Sequence, residues 1–136
     1  MKYLEKNIDL GLLIIRLTVG GLMLLHGISK LMHGVGFIEQ IVTSAGLPHF
    51  VAYGVYVGEV VTPILIIAGL CTRGAAAIFA FNCLVATLLV HSNMIFTLSD
   101  QGGWALELLG LYFFGAIALV FTGGGKYAVS NKYIWD

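Results

Sequence analysis

The chain has 136 residues, of which 59% are hydrophobic and only 10% are charged, whereas soluble domains average about 25% charged residues. So few polar side chains cannot cover a surface in contact with water, and the composition therefore predicts an integral membrane protein embedded in a lipid bilayer. The formal net charge is zero and the chain has no run of basic residues, which argues against nucleic acid as a partner.

The first apolar segment, residues 10–31, is long enough to cross a bilayer as one helix. It contains Arg16, and a cation at such a depth costs about 2.5–3.5 kcal/mol, so other helices must compensate this charge. One side of the helix carries Arg16, Gly20, Met23, Gly27 and Lys30. This side is predicted to face the other helices. The length of the segment and the charge inside it argue against a cleaved signal peptide.

Residues 32–50 are interrupted by glycines and a proline, but apolar residues recur among them at helical spacing. The recurring residues are Phe37, Ile38, Ile41, Val42 and Ala45. Because the opposite side is polar, the pattern predicts a short amphipathic helix that lies on the membrane surface between the first two crossings. An ordered loop is the alternative interpretation.

The second apolar segment, residues 51–70, carries the acid Glu59 and, four residues later, Pro63. Proline has no N–H with which to bond the carbonyl four residues earlier, and that carbonyl belongs to Glu59. The sequence therefore predicts a kink and a free backbone carbonyl beside the one deeply buried acid.

Two more apolar helices are predicted over residues 75–91 and 104–121. Four helices with short connections indicate an all-α, up-down transmembrane bundle that forms a single domain over residues 1–136. With four crossings, five cations fall on one side of the membrane: Lys2, Lys6, Arg73, Lys126 and Lys132. Since Lys30 falls on the other side, the positive-inside rule predicts that both termini are cytoplasmic.

The depths along these helices bring Arg16 within reach of Glu59, and the two are predicted to form a buried ion pair. Ionisable residues inside a membrane are functional candidates, so this pair is the candidate catalytic centre. The candidates for ligand binding lie toward the outer half of the bundle and are His26, Lys30, Tyr56, Asn82, His91 and Glu107. Together they predict a polar pocket that opens outward.

Each candidate also has a structural interpretation. The buried pair could only lock two helices together, His26 could bond a backbone carbonyl, and Asn82 could join neighbouring helices. His91 falls on the opposite helical face from Asn82, so one of the two is expected to face out of the bundle. Four aromatics suit either an interfacial belt or the wall of a pocket for a flat ring, namely Tyr53, Tyr56, Trp104 and Tyr112.

Several stretches of the sequence resemble the DoxX family of small bacterial membrane proteins. They are RLTVGGLMLLHGISKL in the first helix, GLP before the second, GEVVTPILIIAGLCTR across the second helix and its turn, and TGGGKYAVS near the end. The matching positions include Arg16, His26, Gly27, Lys30, Glu59 and Arg73. The resemblance implies four transmembrane helices and an oxidoreductase role, because relatives are associated with quinone-coupled thiosulfate oxidation or with redox-stress membrane complexes.

These features lead us to expect a multi-pass protein of the bacterial inner membrane that serves as a subunit of a quinone-linked or redox-stress oxidoreductase system. A quinone is the candidate cofactor. Haem is not favoured, because His26 and His91 have no second helix-matched pair of histidines, and no metal site is predicted. The expected partners are the bilayer, other redox subunits or a second copy of the chain. A small proton-coupled transporter and a non-catalytic membrane scaffold are the alternatives.

Overall fold

The computed structural model describes residues 6–136, so Lys2, one of the predicted cytoplasmic cations, lies outside the described residues. The described residues form the helices α1 (Ile8–His33), α2 (Gly36–Ser44), α3 (His49–Ala68), α4 (Thr72–Val90) and α5 (Glu107–Thr122). A 3₁₀ turn at Ser92–Met94 follows α4. The prediction of an all-helical chain is confirmed, and the amphipathic segment after the first long helix is a helix rather than a loop.

Three of these helices, α1, α3 and α4, are long and apolar enough to cross a membrane. The fourth apolar helix, α5, has 16 residues, which at 1.5 Å per residue span about 24 Å of a hydrocarbon core about 30 Å thick. It begins at Glu107 instead of the predicted residue 104. The reason is that Trp104 pairs with Leu98 across the preceding loop, and its indole N–H donates to the carbonyl of Ile95.

Contacts along the helices show how they pair. Arg16, in the first half of α1, reaches the end of α3, whereas Lys30, near the end of α1, reaches Glu59 near the middle of α3, so these two helices are antiparallel. The helices α4 and α5 are also antiparallel, because Arg73 at the start of α4 donates to the carbonyl of Val120 near the end of α5. The start of α1, the α3–α4 turn and the segment after α5 therefore meet at one end of the bundle, which we call the tail end.

The side of α1 that was expected to face the other helices is the buried one, as predicted. Its members are Arg16, Gly20, Met23 and Gly27, which are buried, and Lys30, which is half-buried. The helix begins where the Asn7 side chain accepts a hydrogen bond from the N–H of Leu10 at 3.0 Å. It ends at Gly34, whose φ of +80° suits glycine.

The helix α3 is irregular around its acidic residue. It starts as a 3₁₀ turn, widens to a π-helical turn at Val57–Val61 and continues as an α-helix from Thr62. The N–H of Thr62 bonds the carbonyl of Val57, five residues earlier, and the hydroxyl of Thr62 donates to the carbonyl of Gly58 at 2.9 Å. Pro63 has no N–H to donate. The irregularity predicted from the proline therefore lies in the turn that carries Glu59.

Two glycines of α1 allow α3 to approach closely. A Cβ on Gly20 would lie 3.0 Å from the carbonyl oxygen of Pro63, and a Cβ on Gly27 would overlap the carbonyl of Glu59. That second carbonyl is the one that Pro63 cannot bond within the helix. The close contact between α1 and α3 thus covers the backbone group left free by the proline.

The segment after α5 folds back over the α3–α4 turn. The carboxylate of Asp136 accepts hydrogen bonds from the hydroxyl of Ser130 and from the N–H groups of Cys71, Lys132 and Tyr133. These bonds, the one from Ser130 foremost, hold the pKa of Asp136 below its ordinary value. Arg73 holds the same segment by donating to the carbonyl of Ile134 at 2.7 Å. The chain's own polar groups therefore close the tail end.

The close contact at Gly27 leads to a prediction about stability. Gly27→Ala is expected to lower the free energy of unfolding by about 1–3 kcal/mol, because the new methyl group meets the backbone of Glu59 rather than a flexible side chain. The measurement is a denaturant titration of the purified protein in detergent micelles. Gly21→Ala is the matched control on the same helix, since a Cβ there meets nothing within 4 Å. Equal losses of stability in the two variants would contradict the contact.

Candidate functional site

A cavity of about 680 Å³ lies between the helices in the half of the bundle that α2 covers. Its wall is mostly apolar and includes Val42 from α2, Val55 from α3 and Leu89 from α4. The polar and ionisable residues of the wall are His26, Lys30, Glu59, Asn82, His91 and Tyr112. A largely apolar cavity with a few convergent polar groups is the usual form of a small-molecule site.

Lys30 and Glu59 form an ion pair at this cavity, with 2.5 Å between Nζ and Oε2. Glu59 is buried, with 8% of its surface exposed, and lies in the π-helical turn of α3, whereas Lys30 lies in the last turn of α1. The hydroxyl of Tyr56 donates to the backbone carbonyl of Lys30 at 3.3 Å and so joins the same two helices. Each charge in the apolar wall therefore has a partner of opposite sign.

Arg16 takes no part in this ion pair. Its guanidinium is buried at the tail end and donates to the carbonyls of Ile66 at 2.9 Å, Ile67 at 2.8 Å and Gly124 at 3.0 Å. The predicted Arg16–Glu59 ion pair is therefore wrong, and the candidate catalytic pair is divided between two places in the bundle.

There is a physical reason why Arg16 bonds to carbonyls and another why Lys30 pairs with Glu59. The last carbonyls of a helix have no partner within it, and those at the end of α3 meet the guanidinium of Arg16 directly. Lys30 follows Arg16 by fourteen residues on the same face of α1, which is about 21 Å along the helix. At that level Lys30 lies beside Glu59, and it supplies the charge that we assigned to Arg16.

Two of the predicted ligand-binding residues lie together in a way that helical spacing does not suggest. Asn82 and His91 both line the cavity, so the expectation that one of them faces out of the bundle is wrong. The helix α4 ends at Val90, and His91 has φ −122° and ψ 17°. A residue with this backbone conformation has left the helix, and the angular spacing of a helix no longer describes its side chain.

Two other candidates lie outside the cavity wall. Glu107, the first residue of α5, is exposed, and its carboxylate lies close to Gly103 in the preceding loop. Tyr56 contributes through its hydrogen bond to α1 instead of lining the cavity. His26, by contrast, lines the cavity, and its ring lies edge-on to that of Tyr112, with 6.2 Å between the ring centres.

The structure decides the position of Tyr112, which the sequence left open between an interfacial belt and the wall of a pocket, and which was not among the ligand-binding candidates. Only 6% of its surface is exposed, and it lines the cavity. The signal was its depth: it lies eight residues into the predicted helix 104–121, or about 12 Å from the start of that helix. An interfacial belt lies at the membrane surface, so an aromatic at this depth points to the bundle interior.

The polar side chains of the cavity differ in whether other groups of the protein form hydrogen bonds or ion pairs with them. Lys30 and Glu59 satisfy each other, but within residues 6–136 no hydrogen bond reaches the side chains of His26, Asn82 or Tyr112. Tyr112 is buried, Asn82 is half-buried and His26 is exposed, and all three line the cavity. Among the described residues, the polar side-chain atom that is fully buried without a partner is instead the hydroxyl oxygen of Thr72. The three cavity residues can therefore form hydrogen bonds at the cavity surface. Over the same described range, no three His, Cys, Asp or Glu residues converge to hold a metal ion.

Comparisons with known proteins place these residues in context. The family model described as DoxX matches residues 11–92. A protein of Haemophilus influenzae (strain ATCC 51907 / DSM 11121 / KW20 / Rd), named Uncharacterized protein, is 33% identical over 139 residues, which cover 98% of this chain and 98% of its own. A protein of Bacillus subtilis (strain 168) named Putative oxidoreductase CatD is 33% identical over 109 residues, which cover 80% of this chain and 81% of its own. No solved structure matches the chain.

Mutant cycles can distinguish the observed Lys30–Glu59 ion pair from the Arg16–Glu59 pair expected from the sequence. Lys30→Met and Glu59→Gln are each expected to lower the free energy of unfolding, because each leaves a charge without its partner, and the double variant should lose about 1–3 kcal/mol less than the sum. The measurement is denaturant unfolding in detergent micelles.

The control for this cycle combines Glu59→Gln with Arg16→Met. Since Arg16 bonds only to carbonyls at the tail end, the two losses should add within about 0.3–0.5 kcal/mol. Coupling of Glu59 to Arg16 instead of Lys30 would contradict the geometry of the site.

Proposed function

The chain belongs to the DoxX family, and from this premise we propose that its cavity binds a membrane-dissolved quinone and that the protein acts as a subunit of a redox system. One relative carries the name Putative oxidoreductase CatD, which supports a redox role. A quinone is a flat, mostly apolar ring with carbonyl oxygens at its edge. It needs the same combination of apolar wall and few hydrogen-bond donors that the cavity offers.

The observation that carries this proposal is the set of polar groups without protein partners in an otherwise apolar cavity. Asn82, Tyr112 and His26 can each donate a hydrogen bond to a ring oxygen, and the described residues leave all three free to do so. Lys30 has three N–H groups and gives one to Glu59. The edges of the cavity thus offer several donors to a ligand that carries acceptors and no charge.

The same residues suit proton handling. The carboxylate of Glu59 can accept a proton from the hydroxyl of a reduced ring, and the ammonium of Lys30 can stabilise the oxygen from which that proton leaves. Both groups meet at one wall of the cavity. A proton-coupled transporter would use Glu59 in a similar way, whereas a scaffold would need neither the cavity nor its free polar groups.

We propose further that the chain crosses the bacterial inner membrane four times, with α5 as the fourth crossing and the tail end in the cytoplasm. Among the described residues, Lys6, Arg73, Lys126 and Lys132 precede α1, begin α4 or follow α5, and this grouping supports the orientation. A reporter enzyme that is active only outside the cytoplasm, fused after Asp136, should therefore show no activity. Strong activity of that fusion would refute the orientation.

The quinone proposal is tested by extraction. Wild-type protein purified in mild detergent should retain quinone, measured by mass analysis of a lipid extract per mole of protein, and Glu59→Gln should retain at least about tenfold less. The physical reason is that the variant leaves the ammonium of Lys30 unpaired at the cavity wall. Folding is checked by gel filtration and circular dichroism.

Two histidine variants serve as controls. His33 and His49 are exposed and lie outside the cavity wall, so His33→Ala and His49→Ala should retain as much quinone as the wild type. Full retention by a well-folded Glu59→Gln protein would contradict this cavity as the quinone site, and a wild type that retains no quinone would contradict the proposal and favour a scaffold.

A further inference from the structure

We infer that the cavity selects its ligand by charge: an uncharged ring compound binds, and the same ring with a fixed negative charge is rejected because Glu59 already neutralises Lys30. The inference rests on the proposed function, since it concerns the occupant of the same cavity. It narrows the ligand class to membrane-soluble compounds without net charge and assigns the selectivity to one ion pair.

The charged residues that line the cavity balance each other. Among the described residues that line it, Lys30 is a cation and Glu59 is an anion, with 2.5 Å between their charged atoms. His26 and His91 add no charge when they are neutral. Glu107 lies outside the wall, and Arg16 bonds to carbonyls at the tail end. The cavity is therefore electrically neutral when it is empty.

A charged ligand would disturb the balance between the charges of Lys30 and Glu59. An anion could approach Lys30 only by displacing Glu59 or by lying beside it, and either arrangement leaves one negative charge without a partner between apolar walls. An uncharged ring creates no such excess. It can accept hydrogen bonds from Lys30 and Asn82 while the ion pair stays in place. Neutral ligands are favoured because the protein brings its own counter-charge.

The position of the cavity also favours ligands that enter from the bilayer. Two residues of the wall, Phe81 and Leu108, are also strongly exposed, at 65% and 53% of their surfaces. Phe81 lies in α4, which is long and apolar enough to cross a membrane, and Leu108 lies in the shorter apolar helix α5. The cavity thus borders the hydrocarbon of the bilayer, from which uncharged compounds can enter and which charged compounds cross poorly.

A weakly acidic ring hydroxyl is compatible with this selectivity. Its O–H bond can break with transfer of the proton to the carboxylate of Glu59, and the new ring oxyanion then pairs with the ammonium of Lys30. One proton moves from ligand to protein, and the total charge in the cavity remains zero. A sulfonate has no such proton to give, which makes it the appropriate probe for rejection.

The experiment compares anthraquinone with anthraquinone-2-sulfonate, two probes that differ in one fixed charge. The full chain is placed in nanodiscs of zwitterionic lipid, and both dissociation constants are measured by calorimetry at one mildly alkaline pH. Empty nanodiscs supply the background. The readout is the ratio of the two dissociation constants, so differences in partitioning cancel between variants.

The wild type should prefer the uncharged ring by at least about tenfold. Glu59→Gln gives the cavity a positive charge, and the preference should shift by at least about tenfold toward the sulfonate. Glu107→Gln removes the same charge outside the cavity and should behave as the wild type does. The double variant Lys30→Gln/Glu59→Gln is neutral again and should regain the wild-type preference, a recovery that loss of structure could not produce.

Each outcome decides between the proposals. If the wild type binds both probes equally, or if Glu59→Gln and Glu107→Gln shift the ratio alike, selection by charge is overturned while ring binding stands. If the wild type binds neither probe but Glu59→Gln binds the sulfonate, selection by charge stands and the quinone proposal fails. If no variant binds either probe, both proposals are overturned. If Glu59→Gln does not fold, Lys30→Gln is measured in its place: it leaves the cavity with one excess negative charge, so its preference for the uncharged ring should exceed that of the wild type, and an unchanged ratio overturns selection by charge.

Discussion

The buried guanidinium of Arg16 holds the tail end of the bundle together, and the position of the other polar groups follows from it. Its three hydrogen bonds join α1 to the last carbonyls of α3 and to Gly124 after α5. The carbonyl of Ile66 also accepts the N–H of Gly69 at 3.2 Å, whereas among the described residues Arg16 is the partner of the carbonyls of Ile67 and Gly124. Inside a membrane each unpaired polar group is costly. Because carbonyl dipoles satisfy this cation, Glu59 is left to pair with Lys30 at the other end of the same face of α1. One helix thus carries two cations with different partners, backbone carbonyls at the tail end and the carboxylate of Glu59 at the cavity.

The contact between α1 and α3 fixes both parts of Glu59 at once. Its backbone carbonyl packs against Gly27, and its side chain bonds to Lys30, one turn further along α1. Pro63 has no N–H to give that carbonyl, and the absence of a side chain at Gly27 makes room for it. A shift of α3 along α1 would break both contacts together, so the register of the two helices and the position of the carboxylate in the cavity are the same constraint.

Much of the fold follows from signals that are local in the sequence. Apolar length marked the long helices, and the spacing of Arg16, Gly20, Met23 and Gly27 marked the buried side of α1. The partner of Arg16 could not be identified in this way, because every residue has a backbone carbonyl and only the fold determines which carbonyls end a helix. His91 was misplaced for a related reason: its side chain follows a helix end, which periodicity locates only to within a few residues.

The chemistry of the cavity wall bears on what occupies it. Lipid chains could fill the apolar part of a space that borders the bilayer, but they would leave Asn82, Tyr112 and His26 facing hydrocarbon without hydrogen bonds. An ion pair such as Lys30–Glu59 is weak evidence for a stabilising role, because apolar residues of similar volume often serve as well or better. Packing alone therefore explains neither the pair nor its unpaired neighbours. An occupant that has both an apolar body and polar atoms at its edge would satisfy the wall and the polar groups together, and this requirement is the physical link between the fold and the proposed ligand-binding function.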